Sequence, residues 1–348
     1  MKKVFLLVLL PLFSFGQVAS FGEDAVKLKY ANSIQVEDLK RHLEVLASDS
    51  LEGRETGEPG QKMAAEYIAN HFKNIGIPPY KWNTYYQKFR VKTRGHFCKC
   101  STCDNPFLKS LLKGNYVKGE NVLGFIEGTD LKDEILIITA HYDHLGKHDT
   151  LIYNGADDDG SGTVAALEIA EAFMLAKEQG KGPRRSVLIM PVSGEEKGLL
   201  GSKYYTDNPV YPLENTIANL NIDMIGRVDE YHESGDYVYL IGSDRLSTEL
   251  HNLSEEVNTK HFNLELDYTF NDKGDPNRYY YRSDHYNFAK NNIPVIFYFN
   301  GVHEDYHKPT DTIEKIDFEK IQKISRYIFL TAWELANRDK RPLVDVIE

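Results

Sequence analysis

Four places in this 348-residue sequence put imidazoles or carboxylates directly after a short apolar run. Ile135 to Thr139 leads into His141 and Asp143 and then, past a polar connection, into the triplet Asp157-Asp158-Asp159. Arg185 to Ser193 ends in Gly194-Glu195-Glu196, Ile217 to Ile222 ends in Asp223, and Ile293 to Phe299 precedes a loop with His303, Glu304, Asp305 and His307. Three adjacent carboxylates repel one another unless something cationic sits among them. Imidazoles from His141 and His307, with carboxylates from Asp158, the Glu195-Glu196 pair and Asp223, suit two divalent ions that share a bridging carboxylate. Zinc is the first expectation, with manganese or cobalt as alternatives. Two ions held about 3.5–4 Å apart acidify a shared water and stabilise the oxyanion formed when it attacks a carbonyl. The adjacent glutamates fit a division of labour in which one ligates and its neighbour carries the proton.

Such groups need a scaffold that delivers them to one edge. Apolar, β-branched runs too short for helices read as buried strands of a mostly parallel sheet, and in such sheets ligands bind just beyond the carboxyl ends of the strands. Gly160-Ser161-Gly162 allows a tight turn into the helical stretch TVAALEIAEAFMLAKEQ. Helical spacing recurs in Val36, Leu39, Leu43 and Leu46. It recurs in QKMAAEYIANHFKNIG, with Ala64, Tyr67, Ile68, His71 and Phe72 on one face, Gly76 as its stop and Pro78-Pro79 beyond. Phe318 to Leu335 predicts a closing amphipathic helix. Tyr85 to Val91 alternates as a strand, and Asn121 to Glu127 predicts another, paired with Ile135 to Thr139 through the turn GTDLKDE. With no internal repeat, residues 30–340 are expected to form one domain. Residues 93–119 interrupt it with Cys98, Cys100 and Cys103 beside His96, an insertion that local cross-linking or a small metal knuckle would hold.

A net charge of -11 and a pI near 5.6, with no Lys/Arg-rich run, argue against nucleic-acid binding. Lys2-Lys3 followed by the apolar run Val4 to Phe15 predicts a signal peptide over residues 1–20, cleaved after Gly16 or Ser20. The run is too short for a standard membrane span, and no Cys follows it to carry a lipid anchor. A periplasmic or secreted protein without a stable membrane anchor is the expectation.

The segments AHYDHLG, NGADDDGSG, SGEEKGLLGS, NIDMIGR and DYHKPTDT, in that order, resemble the five signatures of metallopeptidase family twenty-eight. That family holds bacterial co-catalytic zinc aminopeptidases, with glutamate carboxypeptidases and glutaminyl cyclases as relatives. The similarity extends to LEGRETGEPG near the front and RSDHYNFAKNNIP near the end. It implies an α/β fold, a three-layer α/β/α sandwich around a mostly parallel mixed sheet. It also implies two zinc ions per chain, with Asp158 bridging them, His141 and Asp223 completing one set and Glu196 and His307 the other. By the same resemblance Glu195 is the general base, Asp143 orients His141, and Tyr306 donates to the tetrahedral intermediate. The activity implied is aminopeptidase action on peptides, with glutaminyl cyclase, carboxypeptidase or dipeptidase as alternatives. A non-catalytic ectodomain is disfavoured because no ligand is missing.

The remaining polar residues read as structural. Asp157 and Asp159 turn the loop or support its neighbours, and His144, His148, Asp149 and His303 are expected as solvated loop residues. Ser283-Asp284-His285 cannot form a triad, because neighbours in one segment cannot point at one another. It is expected as a pocket wall or helix cap, with Tyr279-Tyr280-Tyr281 packed beside it. Asp311 is expected to support His307 or to cap the last helix.

Overall fold

The run Ile135–Ala140 is buried at every position and splits its side chains by parity. Leu136, Ile138 and Ala140 join the apolar core on one face of a sheet, while Ile135 and Ile137 join a second core on the other. A strand whose two faces are both apolar has to be covered on both sides, and the computed structural model covers it so. It describes residues 15–81, 83–92 and 116–346. The strands are β1 (Tyr86–Lys92), β2 (Tyr116–Val122), β3 (Gly124–Ile126), β4 (Leu131–His141), β5 (Gly146–His148), β6 (Leu151–Tyr153), β7 (Arg185–Val192), β8 (Thr216–Ile222), β9 (Tyr237–Ile241), β10 (Glu265–Asp267) and β11 (Val295–Phe299). The helices are α1 (Phe15–Ala31), α2 (Val36–Leu46), α3 (Pro59–Asn74), α4 (Gly162–Glu178), α5 (Leu200–Asp207), α6 (Thr248–His261), α7 (His285–Ala289) and α8 (Phe318–Asn337).

Seven of the described strands form the central sheet in the order β10-β9-β11-β8-β4-β7-β3. The inner four, β11, β8, β4 and β7, are mutually parallel, so their carboxyl ends share one edge. β9 and β3 run antiparallel to their inner neighbours. Side chains of α2, α3, α4, α6 and α8 fill the core on one face, and Tyr205 of α5 with Phe288 of α7 pack on the other. The sheet is therefore mixed and flanked by helices on both faces, as expected. Gly76 ends α3 with a φ of 83°, and Pro59 opens it.

Two expectations change. β3 pairs with β7, not with β4, because β7 lies between them in the sheet order. The parallel crossover through α4 returns beside β4 and takes the place that a local hairpin would have filled. The interruption is also shorter than residues 93–119, since β2 already begins at Tyr116 and pairs with β1. Its cysteines and His96 lie outside the described residues, as does the apolar stretch up to residue 14. α1 begins at Phe15, inside the expected signal peptide. Among the described residues no helix is long and apolar enough to cross a membrane.

Candidate metal centre

The shared carboxyl edge of β4, β7, β8 and β11 is where the chemistry-bearing side chains meet. His141 closes β4, and its Nε2 lies 3.2 Å from Asp158 Oδ1 and 3.6 Å from Asp223 Oδ1. His307 Nε2 lies 3.1 Å from the other Asp158 oxygen and 3.4 Å from Glu196 Oε2. Asp158 thus turns one oxygen to each group, His141 with Asp223 on one side and His307 with Glu196 on the other. Among the described residues no lysine or arginine forms an ion pair with Asp158, Glu196 or Asp223. Buried Asp158 Oδ2 and Glu196 Oε1 each face an imidazole, of His307 at 3.1 Å and of His144 at 2.8 Å, but neither contact has hydrogen-bond geometry. Mixed imidazole and carboxylate donors, orphaned buried oxygens and a shared aspartate fit a pair of divalent cations.

Electrostatics point the same way. Burial alone would raise the Asp158 carboxyl, yet the imidazoles of His144, His141 and His307 hold it well below the usual carboxylate range. Burial, aided by the Asp158 charge, pushes Glu196 up to about 8. Burial also pushes Glu195 well above its ordinary value, against the pull of His141. Carboxylates this crowded hold protons unless a cation neutralises them.

The loops that carry these donors are tied down by backbone-directed bonds. Asp159 accepts from the amides of His141 (3.0 Å), Gly162 (2.9 Å) and Met224 (3.1 Å), which joins the end of β4, the start of α4 and the exit of β8. A Cβ on Gly162 would sit 2.4 Å from Asp159 Oδ1, so glycine is required there for close approach. Asp157 accepts from the Gly226 amide at 2.6 Å. Asp311 accepts from the amides of Asp157 and Asp158 and so holds the acidic triplet. It does not cap α8, which Asp317 caps through the Lys320 amide. Asp143 stands behind His141, but its backbone carbonyl makes the contact, 3.0 Å from Nδ1. Its carboxylate lies 3.8 Å from that nitrogen and accepts from Thr56 and from the Glu195 amide. Tyr306 stacks on His307 with ring centroids 3.9 Å apart, and burial raises its hydroxyl so that it stays a proton donor.

Several residues belong here that their sequence context hid. His144 and His303 are buried, not solvated. His144 Nδ1 lies 2.8 Å from Glu196 Oε1, and His303 pairs with Asp157 at 3.3 Å. Loop histidines are mostly solvated, but these two loops fold back over the acidic cluster, where each imidazole faces a carboxylate. His148 and Asp149 are exposed, as expected. Ser283 lines the cavity and donates to Asp223 Oδ2 at 2.6 Å, while Asp284 sits at the N-cap of α7 and the His285 ring stacks on Phe297. Tyr279 is buried against the cavity and Tyr281 is exposed.

Arg54 gave no signal in its polar loop, yet it is only 1% exposed. Its guanidinium donates to the carbonyls of Tyr142 (2.8 Å), Asn154 (2.6 Å), Gly155 (2.9 Å) and Leu46. It therefore clamps the exit of β4 to the approach to Asp157-Asp158-Asp159. Arg54→Met strands these carbonyls and removes a buried charge that faces the acids. It is expected to destabilise the fold by about 3–5 kcal/mol in urea unfolding.

The model of peptidase family M28 matches residues 121–332. Aminopeptidase YwaD of Bacillus subtilis is 26% identical over 231 residues, covering 64% of this chain and 46% of its own length. The structure of the Legionella pneumophila LapA aminopeptidase superposes with a TM-score of 0.67 at 20% identity, covering 91% of this chain and 76% of its own. That of the Porphyromonas gingivalis glutaminyl cyclase gives 0.60 at 16% identity, covering 85% and 97%. At such identities the structural matches speak to the fold. The chain spans about half the length of the curated relatives it matches.

Proposed function

We propose, from the premise that this chain belongs to peptidase family M28, that it is a zinc-dependent exopeptidase and most specifically an aminopeptidase. The observation that carries the reading is Asp158, with one oxygen facing His141 and the other facing His307. On this reading His141, Asp158 and Asp223 hold one zinc ion, and Asp158, Glu196 and His307 hold a second. When bound, such a pair supplies the positive charge that acidifies water and polarises a carbonyl. His144 braces the Glu196 oxygen that faces away from His307, and Ser283 braces Asp223.

Glu195 lies in the wall of the same cavity, beside His141, Asp158 and Asp223. Its carboxylate takes the proton of the attacking water and returns it to the departing amine. The Tyr306 hydroxyl, kept protonated by burial, donates to the developing oxyanion. Apolar side chains of Phe297, Phe299 and Val302 line the cavity and bind the substrate side chain by excluding water. Export through the amino-terminal apolar run belongs to the same proposal, which places the substrates among extracytoplasmic peptides.

Chelation is expected to abolish hydrolysis and zinc to restore it. The decisive assay is a digest of peptides with free and acetylated amino termini, read by mass. Aminopeptidase action requires loss of cleavage on acetylation, and release of no amino acid from any peptide by the zinc-loaded protein contradicts the reading. A second reading, carboxypeptidase or dipeptidase action, draws on Arg282, a cation at the cavity whose Nη2 is 3.4 Å from the Tyr306 hydroxyl. It predicts cleavage that survives acetylation and stops when the carboxyl terminus is amidated.

A further inference from the structure

A second cluster of imidazoles and carboxylates lies among the helices covering one face of the sheet and shares no residue with the centre above. His42 comes from α2, His71 from α3, and Glu168 and Glu171 from successive turns of α4. The His42 and His71 rings meet edge to face, with centroids 4.6 Å apart. One donor atom each from His42, His71 and Glu171 lies within 4.8 Å of the others. Glu168 Oε1 is 3.4 Å from His42 Nε2. His42 and Glu168 are only 3% and 2% exposed, while His71 and Glu171 are partly exposed and leave the cluster a way to solvent.

The hydrogen bonding around this cluster is complete on its outer side and missing on its inner side. His42 Nδ1 pairs with the Tyr67 hydroxyl at 2.7 Å, and the backbone of Leu167 bonds His71. The backbone of Gln35 donates to the Glu168 carboxyl. Yet His42 Nε2, His71 Nε2 and Glu168 Oε1 are all excluded from solvent without a hydrogen-bond partner. Buried polar atoms are rarely left so, and three in one place call for an occupant. An imidazole–carboxylate ion pair does not supply it. His42 Nε2 and Glu168 Oε1 face each other at 3.4 Å without hydrogen-bond geometry. Arg41, the cation that Glu168 feels, is bound to Asp38.

We propose that His42, His71 and Glu171, with Glu168 as the fourth donor, form a structural site for a divalent cation of zinc type. Two neutral imidazoles and two carboxylates match the charge of such an ion and its preference for nitrogen and oxygen donors. The outer bonds from Tyr67 and Leu167 fix the imidazoles as they do around ligating histidines elsewhere. An ion here staples α2 and α3 to α4, the helix that begins just after the acidic triplet.

The test uses the full chain dialysed against zinc, with bound ions counted by native mass spectrometry. His71→Gln and Glu171→Gln, both at partly exposed positions, are each expected to lose one zinc ion per chain. Each is also expected to lose part of the zinc-dependent rise in melting temperature. In an Asp158→Asn background, which disables the other centre, His71→Gln is still expected to remove one further ion. Unchanged counts and an unchanged zinc response in both single variants overturn the site, whatever the peptide assays show. So does an Asp158→Asn chain whose count His71→Gln leaves untouched.

Discussion

Glu195→Gln is expected to lower kcat by about 10²–10⁴-fold while the bound metal stays at the wild-type count. The change keeps the size of the side chain and its place beside His141, Asp158 and Asp223. It removes only the capacity to accept a proton. The Glu195 amide still donates to Asp143, so the backbone that presents Glu196 keeps its anchor. Ion counting alongside steady-state kinetics checks both halves. A variant with wild-type kcat removes Glu195 from the proton transfer, and a variant that loses metal makes it a ligand.

Asp158→Asn should do the opposite and remove the ions themselves. Asp158 is the carboxylate that reaches both imidazoles, through Oδ1 to His141 and through Oδ2 to His307. Two divalent charges about 4 Å apart repel by roughly 16 kcal/mol at an effective dielectric constant of 20. An anion lying between them relieves much of this, and an amide of the same shape does not. The expected result is loss of at least one ion from this centre. With it, kcat/KM falls about a thousandfold or more, corresponding to about 4 kcal/mol of lost charge stabilisation. Isothermal titration with zinc and hydrolysis of a short peptide measure the two effects. Together the variants separate holding the cations from moving the proton, the two tasks proposed for Asp158 and Glu195.

Much of this was legible because parallel strands constrain so strongly. An apolar, β-branched run can be read without its partners, and parallel neighbours must align their carboxyl ends. His141, Asp158, the Glu195-Glu196 pair, Asp223 and His307 could therefore be brought together from widely separated segments, while the choice of Glu196 over Glu195 as ligand rested on the family resemblance. Pairing on the sheet margin was less legible. β3 is three residues long, and nothing in it tells β7 from β4, because the choice is made by the α4 crossover returning between them. The supporting residues were legible least of all. Arg54 bonds backbone carbonyls, which any sequence offers. His144 and His303 look like loop histidines until the loops close over the acids. The same holds for His71, whose helical spacing marks it as one more core position, although its ring turns toward His42 and Glu171.

On the proposed reading one aspartate, Asp158, joins two cation sites at the edge of the sheet. Anomalous diffraction at the zinc edge, on crystals of the zinc-loaded protein, tests it most directly. Two peaks about 3.5–4 Å apart are expected to flank Asp158, one beside His141 and Asp223 and the other beside Glu196 and His307. A single peak there, or peaks that leave Asp158 without a metal on either side, would contradict it.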